Sequence, residues 1–216
     1  NVNELNVAGF KNIFLCPNII SKSSIEPTFK SKEISLLFVG RIAPNKNCIA
    51  LLEQVEKVAT QLQIPINLVI VGSAKRGCRF GKKFSEKYLE LKKHQYLKTY
   101  WEKEINEEKL SALYKKSWLY ISMSLHEGFG VPACESIANG TPALYLECGG
   151  QESVLEKIGM VQKNEADQFH TKIIEIISNE DMRQQLHEKQ IDIVSKFISP
   201  EVDNLVFQAY KQIITN

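Results

Sequence analysis

The residue types best suited to chemistry stand together in one stretch, Ser124-Leu125-His126-Glu127-Gly128-Phe129-Gly130-Val131-Pro132-Ala133-Cys134-Glu135. Its glycines permit a tight turn and a close backbone approach to a ligand, and the unpaired amides of Gly130 and Val131 at a helix start can receive an anion. Glu127 lies in the turn and Glu135 about one turn into the helix, so the two carboxylates can flank the same ligand without touching it at the same point. Each carboxylate accepts two or more hydrogen bonds, which vicinal hydroxyls of a sugar or a ribose supply. The stretch reads as a phosphate or sugar cradle. The same residues also suit a plain strand-to-helix turn whose acids favour the helix dipole.

A second candidate, Gly40-Arg41-Ile42-Ala43-Pro44-Asn45-Lys46, also follows an apolar run. Arg41 offers a planar fork and Lys46 a compact charge where a diphosphate would sit. Lys46 is placed near a helix N-terminus, where a cation is disfavoured unless an anion compensates it. The turn has neither the G-x-G-x-x-G spacing nor a P-loop, and a solvated basic loop is the competing reading. A third region runs from Lys75 to Lys98, where nine basic residues face only Glu86 and Glu90. It reads as a solvated loop and helix face that could steer a polyanion or touch an anionic membrane surface. Gly72, closing another strand, and Ile105 could hold a flat base between them, and Trp101 could stack on that base or simply pack. Gly149-Gly150-Gln151-Glu152 reads as a further anion turn. His94, His170 and His187 fall in charge-rich helical stretches and read as exposed.

These residues need strands and helices to position them. Ile34–Val39, closed by Gly40, and Ile66–Val71, closed by Gly72, are short, branched, nearly continuous apolar runs, as buried parallel strands are. Between them Leu51, Leu52, Val55, Val58 and Ala59 recur at three and four residues, the stripe of a crossover helix. Asn106 can cap a helix with Glu107 and Glu108 in its first turn and Leu110, Leu113 and Tyr114 on its apolar face. Strands at Trp118–Ile121 and Ala143–Leu146, a helix from Val131 stopped at Asn139-Gly140, and two or three closing helices complete the pattern. The alternation predicts an α/β, doubly wound parallel sheet with helices on both faces and ligands beyond the carboxyl ends of its strands.

Composition narrows the partners. Twenty-seven Lys and Arg against 25 Asp and Glu leave a net charge of +2, which argues against nucleic acid as a dedicated partner. Five widely spaced Cys with no C-x-x-C pair suit a reducing, cytoplasmic setting without a structural metal. No apolar run is long enough to span a membrane. The start lacks Met and reads as that of an excised chain.

Taken in order, Val39-Gly40-Arg41 with Lys46, Val71-Gly72, Leu110 to Tyr114, Ser124 with Glu127-Gly128-Phe129-Gly130-Val131-Pro132 and Glu135, Ala138 with Gly140-Thr141-Pro142, and Gly149-Gly150 with Glu152 resemble a known series. They are similar to the carboxyl-terminal, nucleotide-sugar-binding half of retaining GT-B fold glycosyltransferases, the GT4-like glycosyl transferases group 1. The resemblance implies a Rossmann-like sheet and a retaining glycosyltransferase that transfers sugar from a UDP-sugar or GDP-sugar to an acceptor hydroxyl in polysaccharide or glycoconjugate synthesis. It implies no cofactor and no essential metal. Arg41 and Lys46 would hold the diphosphate, Glu127 the donor sugar and Glu135 the ribose. The amides of Phe129, Gly130 and Val131 would cradle sugar and phosphates, with Gly40 and Gly72 at the strand ends. Backbone around Ile105 would meet the base edge and Leu110 the nucleoside.

The chain departs from the family pattern at Lys103, Ser136 and Ile137, and in the length of its basic stretch. The expected organisation is a linker with one edge strand over residues 1–33, the donor-binding domain over 34–197 and a closing helix over 198–216. That helix would pack towards an absent amino-terminal domain, the main binder of a saccharide, lipid-linked or protein acceptor, so the half is expected to bind donor but not to turn over alone. A peripheral contact at the cytoplasmic face of a membrane, the oligomeric state and a non-catalytic nucleotide-sugar or polyanion-binding role of the same fold stay open.

Overall fold

A computed structural model describes residues 32–198 together with Gly9, Asn18, Ile20, Phe207 and Lys211. The edge strand expected near residues 13–16 and nearly all of the closing helix lie outside the described residues.

Among the described residues six parallel strands form one sheet in the order β3-β2-β1-β4-β5-β6: β1 Ile34–Val39, β2 Ile66–Val71, β3 Leu97–Glu102, β4 Leu119–Ser122, β5 Ala143–Leu146 and β6 Met160–Val161. The helices are α1 Cys48–Leu62, α2 Arg79–Leu91, α3 Glu107–Lys116, α4 Val131–Ala138, α5 Gly150–Val154, α6 Phe169–Ser178 and α7 Glu180–Val194. Because successive strand residues face opposite ways, β1 sends Leu36 and Phe38 to one side and Leu37 to the other. Leu36 and Phe38 pack with α1, α2 and α6 through Leu51, Val55, Phe84 and Ile173. Leu37 packs with Val69, Tyr120 and Tyr145 against Tyr114 of α3 and Ala133 and Ile137 of α4. Both faces of the sheet are therefore covered, which is why β1 and β2 read as nearly continuous apolar runs, broken only by Ser35 and Asn67. The doubly wound expectation holds, and the order reverses between β1 and β4, the point where such sheets bind ligands.

Two readings need correction. Residues 75–98 are more than a loop and a helix face, because they run into the edge strand β3. Leu97 and Thr99 are buried while Lys98 and Tyr100 are exposed, and the polar alternation hides a strand that pairs on one side only. The three histidines are half-buried rather than exposed. His94 Nε2 meets Thr60 Oγ1 at 3.1 Å, His170 Nδ1 meets Gln54 Oε1 at 2.8 Å, and His187 Nε2 lies 2.9 Å from the Ile137 carbonyl.

Candidate functional site

The loop after β1 is fixed on both sides by its neighbours. Gly40 donates to the Val71 carbonyl, Ile42 donates to that of Ser73, and Leu125 donates to that of Asn45 at 2.8 Å. The loop therefore joins the carboxyl ends of β2 and β4. Gly72 has to be glycine: its φ is +139°, and a Cβ there would stand 2.0 Å from the Gly40 carbonyl oxygen. Arg41 is exposed. Lys46 ends the short 3₁₀ turn Pro44–Lys46, directly before α1, whose cap Asn47 makes no side-chain capping bond.

Lys46 points across to the β4 turn, where its Nζ lies 2.5 Å from Glu127 Oε1 with both side chains 15% exposed. Two residues assigned separately to diphosphate and to sugar thus meet as an ion pair. Glu127 is itself held by its backbone, its amide donating to the Cys148 carbonyl and its carbonyl accepting from Gly150. Beyond it Gly130 caps α4 in the left-handed region at φ +79°, with no side chain closing the helix end. The amides of Phe129, Gly130 and Val131 donate to no acceptor among the described residues. They form an open set of donors at the positive end of a helix.

Glu135 does not join Glu127. Its Oε2 accepts from Tyr114 Oη at 3.0 Å, and burial raises its carboxyl above the ordinary value, partly offset by that hydrogen bond and increased by the nearby Glu107 carboxylate. Sequence reading placed Tyr114 only on an apolar helix face and missed this hydroxyl. A tyrosine in an otherwise aliphatic stripe was the available signal, since a buried hydroxyl needs a partner. Ile105 and Leu110 pack at the margin of the same apolar cluster, with Asn106 capping α3 by accepting from Lys109. Trp101 settles as a packing residue. Its ring lies edge-on to Phe84 and Tyr88, and its Nε1 donates to the Gly72 carbonyl at 2.7 Å, which steadies that strand end.

The turn at Gly149-Gly150 differs from its sequence reading. Glu152 turns back so that Oε1 accepts from the amides of Cys148 at 2.7 Å and Gly149 at 2.5 Å. Its own acid takes the donors that an anion would need. Burial pushes the thiols of Cys134 and Cys148 up to about 12, which keeps both protonated and unreactive. Among the described residues no three His, Cys, Asp or Glu side chains converge as a metal site, and no helix is long and apolar enough to cross a membrane.

The family model of glycosyl transferases group 1 matches residues 20–192. A poly(glycerol-phosphate) alpha-glucosyltransferase of Bacillus subtilis is 24% identical over 205 residues, covering 91% of this chain and 29% of that protein. Among solved structures, a mutant of S. aureus TarM in complex with Fondaparinux, alpha-GlcNAc-glycerol and UDP superposes with a TM-score of 0.76 at 19% identity, covering 97% of this chain and 41% of that one. An alpha,alpha-trehalose-phosphate synthase (UDP-forming) from Burkholderia vietnamiensis gives a TM-score of 0.69 at 13% identity, covering 83% and 45%. The chain spans less than half the length of each of these relatives.

Proposed function

The chain belongs to the glycosyl transferases group 1 family, and from that premise we propose that it is the donor-binding half of a retaining glycosyltransferase that takes a UDP-sugar, UDP being the nucleotide named for the similar TarM and trehalose-phosphate synthase structures. One observation carries the reading: the open amides of Phe129–Val131 stand at the β1/β4 switch point beside the Lys46–Glu127 pair. In this reading the diphosphate lies over those amides, with Arg41 and Lys46 as its cations. Glu127 accepts from donor-sugar hydroxyls and Glu135 from the ribose, while Gly40 and Gly72 allow close approach. The base edge meets backbone around Ile105, and Leu110 packs near the nucleoside.

The chemistry asked of these groups is electrostatic. As the sugar leaves, negative charge grows on the diphosphate, and fixed amides and cations stabilise it without a metal ion. Lys46 is already held in place by Glu127, so little reorganisation is required when the diphosphate competes for its ammonium. The acceptor we propose is a polyol-phosphate chain, the acceptor class that the name of the Bacillus relative carries, docked mainly by the rest of a longer enzyme.

Calorimetric titration with UDP and GDP in the presence of EDTA tests the reading. UDP is expected to bind the isolated chain without added metal and to bind more tightly than GDP. Failure of both nucleotides to bind, or a strict need for Mg²⁺ or Mn²⁺, overturns it.

A further inference from the structure

Between Ser73 and Ser85 the chain carries Lys75, Arg76, Arg79, Lys82 and Lys83 and no acidic residue. All five are exposed, and none forms an ion pair with a described residue. Three of them occupy the first turns of α2, which holds no acid in its first turn, so like charge gathers at the positive end of a helix. The local fold keeps it there. Cys78 caps α2 through its sulfur, and a Cβ on Gly81 would lie 2.8 Å from Ala74 Cβ, so the first turn of α2 sits tightly on the β2 loop. That loop is bridged to the Arg41 segment by Ile42 and Ala74. The cationic row therefore begins beside Arg41, at the same edge of the sheet as the open amides.

The lower half of α2 is different. Lys87 is tied to Glu56 and Glu90, and Glu86 and Glu90 dilute the exposed face. The unneutralised charge is thus a short row leading towards the site. Arg79 and Lys83 lie about 6 Å apart along the helix axis, which suits successive anions on a chain better than one phosphate. The exposed large apolar side chains nearby, Leu89 at the far end of α2 and Tyr100 on β3, lie beyond the row, so the cations between Ser73 and Ser85 have no apolar anchor among them with which to enter a bilayer.

We propose that this row is a docking surface for the polyanionic acceptor, which it holds by its phosphodiesters at the carboxyl edge of the sheet; the assignment rests on the polyol-phosphate acceptor proposed above. Because the row is solvent-exposed, the attraction is long-ranged and weakens with salt.

The experiment uses the chain as it stands and a labelled synthetic oligo(glycerol phosphate), followed by fluorescence anisotropy, with UDP titrated in parallel. Arg79→Gln/Lys82→Gln/Lys83→Gln is expected to weaken oligomer binding by about tenfold and to leave UDP affinity within about twofold. The charge-matched control Lys92→Gln/Lys93→Gln/Lys98→Gln, at the far end of α2 and the start of β3, is expected to change oligomer binding by less than about threefold. Equal losses in the two triple variants would reduce the effect to net charge and overturn the dock. UDP binding without oligomer binding overturns the dock alone. Localised oligomer binding without UDP binding overturns the donor reading and leaves the dock. Stronger retention on phosphatidylglycerol vesicles than on the oligomer assigns the row to a membrane instead and also overturns it.

Discussion

The turns after β4 and β5 are built from similar material, a glycine pair or near-pair, an acid close by and a short helix, yet they end in opposite states. After β4, Gly130 caps α4 and the amides of Phe129 to Val131 keep their hydrogen-bonding capacity, because the nearest acid, Glu127, is turned away to Lys46. After β5, Glu152 folds back on the amides of Cys148 and Gly149 and closes the helix start. The difference teaches that glycines and a helix N-terminus do not by themselves leave backbone donors open. What decides is whether a local acid can reach the amides, and at the β4 turn a distant lysine removes that competitor. The two turns are also pressed together. A Cβ on Gly150 would stand 1.9 Å from the Gly128 carbonyl oxygen, and one on Gly130 would meet Gln151 at 2.5 Å.

The largest effect is expected where the turns touch. Gly150→Ala drives a methyl group into the Gly128 backbone and is expected to cost about 3 kcal/mol of stability, with loss of nucleotide binding. Gly128→Ala, whose Cβ meets nothing within 4 Å, is expected to cost less than about 1 kcal/mol. Urea denaturation of the pair measures the contrast, and similar losses would show that the contact between the turns is not what holds the open one.

Next in size is the dependence of the open turn on cations from the β1 loop. Arg41→Ala and Lys46→Ala are each expected to weaken UDP binding by about 1–3 kcal/mol with the fold retained. Unchanged calorimetric affinity in both variants would place the diphosphate away from this turn.

The ion pair gives a sharper and smaller effect of opposite sign. Glu127→Gln frees Lys46 from its competitor, so plain UDP is expected to bind about three- to tenfold more tightly, while an intact UDP-sugar loses part of its advantage over UDP. Glu135→Gln, remote from Lys46, is expected to weaken both ligands together. If Glu127→Gln weakened plain UDP, the pair would be assisting the diphosphate site rather than competing with it.

The smallest effect tests the closed turn. Glu152→Gln replaces the charged acceptor over the Cys148 and Gly149 amides and is expected to cost about 0.5–1 kcal/mol of stability while leaving UDP affinity unchanged. A denaturation midpoint equal to that of the unaltered chain would mean that the cap contributes nothing.

Much of this architecture was legible in the chain itself. Strands β1, β2 and β5 fell within their apolar runs, and Asn106 and Asn139 marked the helix ends assigned to them, because buried parallel strands and capped helices leave local chemical signatures. The ordered glycine and charge positions also lie, as read, just beyond the carboxyl ends of β1 and β4. Strand β3 escaped because an edge strand keeps Lys98 and Tyr100 on its open side and so imitates a solvated loop.

What the sequence alone determined, then, is the alternating fold, the family and the strand ends at which charge and glycine gather. The tertiary structure decided the partners: Lys46 with Glu127 across 81 residues, Tyr114 with Glu135 across 21, and Glu152 with the amides that had read as free. The reason is physical. A strand or a helix follows from the pattern of its own residues, whereas a carboxylate has several donors within reach and settles on one only after packing has fixed their distances and removed the competing water.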